Sequence, residues 1–246
     1  MSGVHAIDTG VLDDPAGTAL SGPHRGFARR HGQARCYDPA VTPFAALPAG
    51  ADAQAWQDLA VLVGAGGRAV LIGDYPVPPG WEITWQDEVV QLVDDALAVA
   101  DEPEAVPLGA ADVPEMLDLV ERTKPGPFLA RTVEMGSYLG IRQDGRLVAM
   151  AGERMHPPGF TEISAVCTDP AYRGQGLATR LIRAVAAGVR RRGETPFLHA
   201  ASDNTAAIRL YEAMGFAVRR QLTFTVVVDK GTLRTNSVKK VPFLRS

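Results

Sequence analysis

The sequence predicts a mixed α/β fold with a central twisted sheet, preceded by a smaller α+β region. Three observations predict it. From residue 104 onward, short apolar strand patterns alternate with helical periodicities and tight glycine turns. Within that stretch, an apolar run at 162–168 passes through a glycine turn directly into a long amphipathic helix. Before residue 104, a helical stretch is followed by strand-like runs separated by prolines.

In chain order, residues 1–50 are rich in Gly, Pro and Ala, with a helix expected around 15–19 and no clear pattern at 29–37. Residues 54–63 read as a helix with Trp56, Leu59, Ala60 and Val63 on one face. Strands are expected at 68–72 and 81–85, either side of the Pro76-Val77-Pro78-Pro79-Gly80 turn, and a third at 88–93. The run Gly64-Ala65-Gly66-Gly67 is not a dinucleotide fingerprint. A strand resumes at 70–73, where the phosphate-binding helix would have to begin.

An acidic, proline-containing stretch at 100–104 marks the expected boundary between an N-terminal domain, 1–103, and a second domain, 104–230. The second domain begins with a strand at 105–108. Asp112-Val113-Pro114-Glu115 then reads as a capping-box start to a helix ending at Thr123. Strands at 137–142 and 147–155 are joined by the Gln143-Asp144-Gly145-Arg146 hairpin turn, and a third runs over 160–168. The long helix follows, with Leu177, Leu181, Val185 and Val189 on its buried face, and Gly193 closes it. A short strand at 197–200, a Ser202-Asp203-Asn204 cap, a helix at 205–214 closed by Gly215 and a last strand at 216–228 complete the order. Residues 231–246 read as a basic surface tail.

Charge is distributed unevenly. Residues 1–103 hold 14 Asp and Glu against 5 Arg, a net of −9, whereas 104–246 hold 20 Lys and Arg against 14 acids, a net of +6. A basic half suits a polyphosphate ligand, and mutual attraction of the two halves explains the same asymmetry. Two cysteines, Cys36 and Cys167, give no disulfide framework. No apolar run approaches membrane-spanning length and the start carries no signal-peptide pattern, so the cytoplasm is the expected location.

The turn after the 162–168 strand reads Arg173-Gly174-Gln175-Gly176-Leu177-Ala178-Thr179. Its glycines let the backbone approach a ligand, and the first helical N–H groups can then point at an anion. It is not a P-loop, because Gly176 is followed by Leu177-Ala178 instead of Lys and Ser or Thr, and its spacing is not G-x-G-x-x-G. About 30 residues later comes Asn204 with Ala207, Leu210-Tyr211-Glu212 and Met214-Gly215-Phe216.

Together these two segments resemble the GNAT superfamily of acyl-CoA-dependent N-acyltransferases, over residues 104–228. The resemblance implies a GNAT fold whose fourth and fifth strands splay apart, with acetyl-CoA as co-substrate, no metal, and a small-molecule or peptide amine as acceptor. Neither nucleic acid nor membrane is an expected partner. It further implies that the main chain of Val166, Cys167 and Thr168 meets the pantetheine arm, that residues Arg173 to Thr179 hold the pyrophosphate, and that Asn204 and Tyr211 face the cofactor. The N-terminal domain, with its helix and strand hairpin, is expected to be a degenerate GNAT-like lobe.

Acyl transfer needs a donor for the departing thiolate, and Tyr211, a phenol of pKa about 10, suits that role. For deprotonating the amine, three candidates stay open. Glu162 alternates with Ser164, Val166 and Thr168 and is expected to look into the acceptor pocket, with Glu153 on the neighbouring strand. His199 ends the opposite strand, and a water relay is the third route. The reading from sequence is an active N-acetyltransferase working by direct attack in a ternary complex; the alternative is a catalytically silent acyl-CoA-binding module. Acceptor identity and oligomeric state are not written in these patterns.

Overall fold

The computed structural model describes residues 8–231; residues 1–7 lie outside it, as does the expected basic tail beyond Gly231. Five helices and eleven strands alternate along the described chain. The N-terminal half opens with α1 (Pro15–Ser21). A small antiparallel sheet follows, formed by β1 (Ala28–His31), β2 (Ala34–Tyr37) and β3 (Ala45–Ala46), then α2 (Ala53–Val63), β4 (Arg68–Ile72) and β5 (Trp81–Asp94). The remainder supplies β6 (Ala105–Leu108), α3 (Val113–Thr123), β7 (Tyr138–Gln143), β8 (Arg146–Glu153), β9 (Phe160–Thr168), α4 (Leu177–Arg191), β10 (Thr195–Ala201), α5 (Thr205–Met214) and β11 (Phe216–Asp229).

Eight of these strands form one mixed sheet in the order β4-β11-β5-β10-β9-β8-β7-β6. This mixed α/β architecture is the expected one. The two runs read as separate strands at 81–85 and 88–93 are one 14-residue strand, β5, which lies between β10 and β11 and pairs antiparallel with both. The sheet is therefore continuous across residues 103 and 104. A strand–helix–strand crossover with a parallel contact occurs twice: β9-α4-β10, and β3-α2-β4 with the parallel bridge Phe44↔Val70.

Helix α4 forms because apolar residues recur on one face and its ends are free to stop. Leu181, Ile182, Ala186 and Val189 are fully enclosed against β7, β8 and β9, and each large side chain so buried contributes roughly 1.5–3 kcal/mol. Its outer arginines meet the acidic half of the chain: Arg180 binds Glu102, Arg190 binds Asp94 and Arg191 binds Asp101, while Arg180 also binds Glu104 just beyond the boundary. Mutual attraction thus accounts for much of the charge asymmetry. The hairpin turn between β7 and β8 carries Asp144 and Gly145 at φ 51° and 78°, which only such residues tolerate easily.

The start of α3 differs from expectation. Asp112 makes no capping bond into the helix, because a 3-10 turn at Ala110–Asp112 precedes it and its carboxylate accepts from Gly109 N–H and Arg142 instead. No helix among the described residues is long and apolar enough to cross a membrane.

Candidate active site

Strands β9 and β10 pair in parallel only at Thr195↔Phe160, Pro196↔Thr161 and Phe197↔Glu162. Beyond these rungs they separate, leaving the facing edges of 163–168 and 198–201 without each other. This is the expected splay. On the other side, β9 pairs with β8 through a register shift: Met150 faces Cys167, but Gly152 faces Ser164. The extra residue sits at Ala165, whose φ of 52° is uncommon for a residue with a side chain. The bulge interrupts the pairing of β9 with β8, and Ser164, Val166 and Thr168, only partly buried, line the gap.

Two adjoining cavities occupy that gap, of about 430 and 390 Å³. The first is bounded by Ser164, Val166, His199, Asn204, Tyr211 and Arg154; the second by Val166 to Thr168, Arg173, the glycine turn, the first turn of α4 and Tyr211. Val166 and Tyr211, with Pro125, wall both, so the two form one groove. A hollow of about 750 Å³ between the N-terminal half and β11, beside Asp14, Arg35, Tyr75 and Arg220, shares no residue with it.

The glycine turn leaves open space in front of its backbone. Gly174 and Gly176 hold φ of 79° and 73°, and a Cβ built on either meets no protein atom within 4 Å. Packing therefore does not demand glycine here; the backbone conformation does, and the space before it is open. Gly176 caps α4 without any side-chain hydrogen bond, so the N–H groups of Leu177, Ala178 and Thr179 are not capped by a side chain. Arg173 is exposed and has no ion-pair partner among the described residues. Thr168 Oγ1, in the wall of the second cavity, also has no partner among them. Asn204 caps α5, accepting from Ala207 N–H at 3.1 Å, and lines the first cavity.

Tyr211 packs its ring edge-on to Phe216 at 6.2 Å between centroids. Burial pushes its phenol up to about 12, so the proton stays on oxygen at neutral pH. Burial likewise pushes the Cys167 thiol up to about 12, leaving that side chain an unreactive part of the core.

Glu162 does not line the cleft as expected. It is fully buried, and its carboxylate receives Arg154 Nη2 at 2.6 Å, Arg154 Nε at 2.9 Å, His199 Nδ1 at 2.7 Å and Met155 N–H at 3.4 Å. Burial alone would raise its pKa, but Arg154 and then His199 outweigh it and hold the carboxyl near about 2. Arg154 is disfavoured as a cation by burial, and the Glu162 carboxylate more than offsets that. The guanidinium also lies over the Phe44 ring, 4.8 Å from its centre. His199 does line the first cavity, but its side chain is only 2% exposed. Glu153 lies apart from both cavities and accepts from Arg192 at 2.9 Å. Arg154 was not among the expected site residues; a lone arginine at a strand end carries no motif.

Known proteins resemble this chain in sequence and fold. Residues 138–225 match the family model described as FR47-like protein. The chain is 35% identical over 123 residues to the N-alpha-acetyltransferase RimI of Mycobacterium tuberculosis, spanning 46% of this chain and 77% of that one. It is 32% identical over 146 residues to a mycothiol acetyltransferase of Nocardiopsis dassonvillei, where it covers 55% of this chain but only 41% of the relative. A crystal structure of a GNAT-family acetyltransferase from Novosphingobium aromaticivorans superposes with a TM-score of 0.82 at 44% identity, over 88% of this chain and 97% of that one. Likeness of that degree, over nearly all of one GNAT structure and most of one curated N-acetyltransferase, makes this chain an acyltransferase of the GNAT superfamily.

Proposed function

We propose that the protein transfers an acetyl group from acetyl-CoA to a primary amine by direct attack within a ternary complex. The observation that carries this reading is the continuity of one groove from the glycine turn to the diverging strands, with Tyr211 in the wall of both parts. The pyrophosphate would sit before the N–H groups of Leu177 to Thr179, where the positive end of the α4 dipole favours an anion, with Gly174, Gln175, Gly176 and Arg173 around it. The pantetheine amides would pair with the edge of Val166 to Thr168 that β10 leaves free. Asn204 would face the same arm.

The two substrates then lie side by side, and proximity supplies much of the acceleration. The amine attacks the thioester carbonyl, the C–N bond forms and the C–S bond breaks. Tyr211 gives its proton to the departing sulfur and regains one from solvent. Neither Glu162 nor His199 takes the amine proton in this scheme. Four donors occupy the Glu162 carboxylate, and both ring nitrogens of His199 are engaged. The proton leaves through water, and the Glu162–Arg154–His199 cluster shapes the acceptor wall. Residues 104–230 would carry the transfer site and residues 1–103 would buttress it through β5, consistent with a reduced second lobe.

Incubating the protein with acetyl-CoA and a panel of small amines, amino acids and peptides with free N-termini, while following thiol release, tests the proposal. Amine-dependent release supports it. No release with any amine, from protein that binds CoA by calorimetry, would contradict it.

A further inference from the structure

Gln91 is completely enclosed in β5, opposite His199 of β10 on one side and Arg220 of β11 on the other. A fully buried amide in the middle of a sheet is costly unless every polar atom is matched. Here three contacts match it and also fix which way it points. Arg219 Nη1 donates to Gln91 Oε1 at 2.9 Å, and Gln91 Nε2 donates to the Leu12 carbonyl at 3.0 Å. Turning the amide round would set its oxygen against a carbonyl and its nitrogen against a guanidinium. The second hydrogen of Nε2 therefore points at His199 Nε2, 3.0 Å away.

His199 must then accept at Nε2 and carry its hydrogen on Nδ1, which faces Glu162 Oε1 at 2.7 Å. The opposite tautomer would bring two hydrogens together at Gln91 and two lone pairs together at Glu162. Phe197 and Phe224 hold the ring edge-on at 5.6 and 5.1 Å between centroids, so it cannot swing away to relieve either clash. We propose that Gln91 is a positioning residue of the transfer site: it fixes His199 as the Nδ1–H tautomer, which completes the donor set on Glu162 and so holds Arg154 in the acceptor wall. The role of the cluster rests on the proposed function above; the tautomer itself does not. Gln91 comes from the N-terminal half, so this half would contribute directly to the order of the site.

Nitrogen-15 NMR of the imidazoles in the full-length protein, with His199 assigned by substitution, reads the tautomer without any substrate. The expected spectrum shows Nδ1 protonated and Nε2 bare. Gln91→Glu, which replaces the donor with an acceptor, should place a hydrogen on Nε2. Arg219→Met, at the half-open rim of the cluster, frees the amide to turn and should produce a second tautomer population. In Gln91→Glu, kcat should fall about tenfold, the scale of one lost hydrogen bond, with acetyl-CoA KM within about twofold of wild type. A wild-type His199 protonated on Nε2, or an unchanged tautomer in both variants, would overturn the proposal. Failure of the wild type to bind CoA would instead count against the proposed function and leave the tautomer result standing.

Discussion

The imidazole of His199 and the carboxylate of Glu162, from strands that have just parted, meet at 2.7 Å with side chains 2% and 0% exposed. Arg154 closes the cluster from the other side. A buried anion with this many donors stabilises the fold only while it is ionised, because its partners were desolvated to meet it.

That relation sets a pH dependence. Glu162 has its folded-state pKa lowered from 4.5 to about 2, so its contribution is complete above about 4.5 and is lost as pH falls toward 2. Glu162→Gln should unfold at lower denaturant concentration at pH 7, while the difference from wild type should shrink across that acid window. Urea melts at pH 7 and below pH 4 check this; an equal difference at every pH would contradict it.

At the other end of the groove, Gly176→Glu should abolish CoA binding. The new side chain would enter open space, so the fold should survive, with a local cost of roughly 1–2 kcal/mol for a side chain in the left-handed region. Calorimetry on the folded variant gives the answer: unchanged CoA affinity would remove the cradle from the account.

Leu181 is fully enclosed where α4 meets the sheet. Leu181→Ala should lower stability by about 2–5 kcal/mol and, if it folds, leave acetyl-CoA KM nearly unchanged, because the residue lines neither cavity. Denaturant melts and steady-state kinetics measure the two effects separately.

Much of this was legible in the sequence because it rests on local chemistry. The α4 face, the Gly174 and Gly176 turn, the Asn204 cap and the Gly215 stop each follow from residues within a few positions of one another. The bulge at Ala165 left no such mark, since alanine has no preference for its backbone conformation. Arg154 and Gln91 were hidden for a different reason. Their partners lie on other strands, and only the insertion of β5 between β10 and β11 brings Gln91 to His199. Residues 29–37 carry no clear pattern because the two strands there, β1 and β2, are only four residues long.

Tyr211→Phe tests the central claim most directly, because it keeps the ring against Phe216 and removes only the hydroxyl. On a confirmed amine acceptor, kcat should fall about 10²-fold with acetyl-CoA affinity and stability nearly unchanged, since the thiolate must then leave unprotonated. The defect should shrink with an acyl donor whose thiol has a lower pKa. Wild-type kcat in the Phe variant would contradict the account.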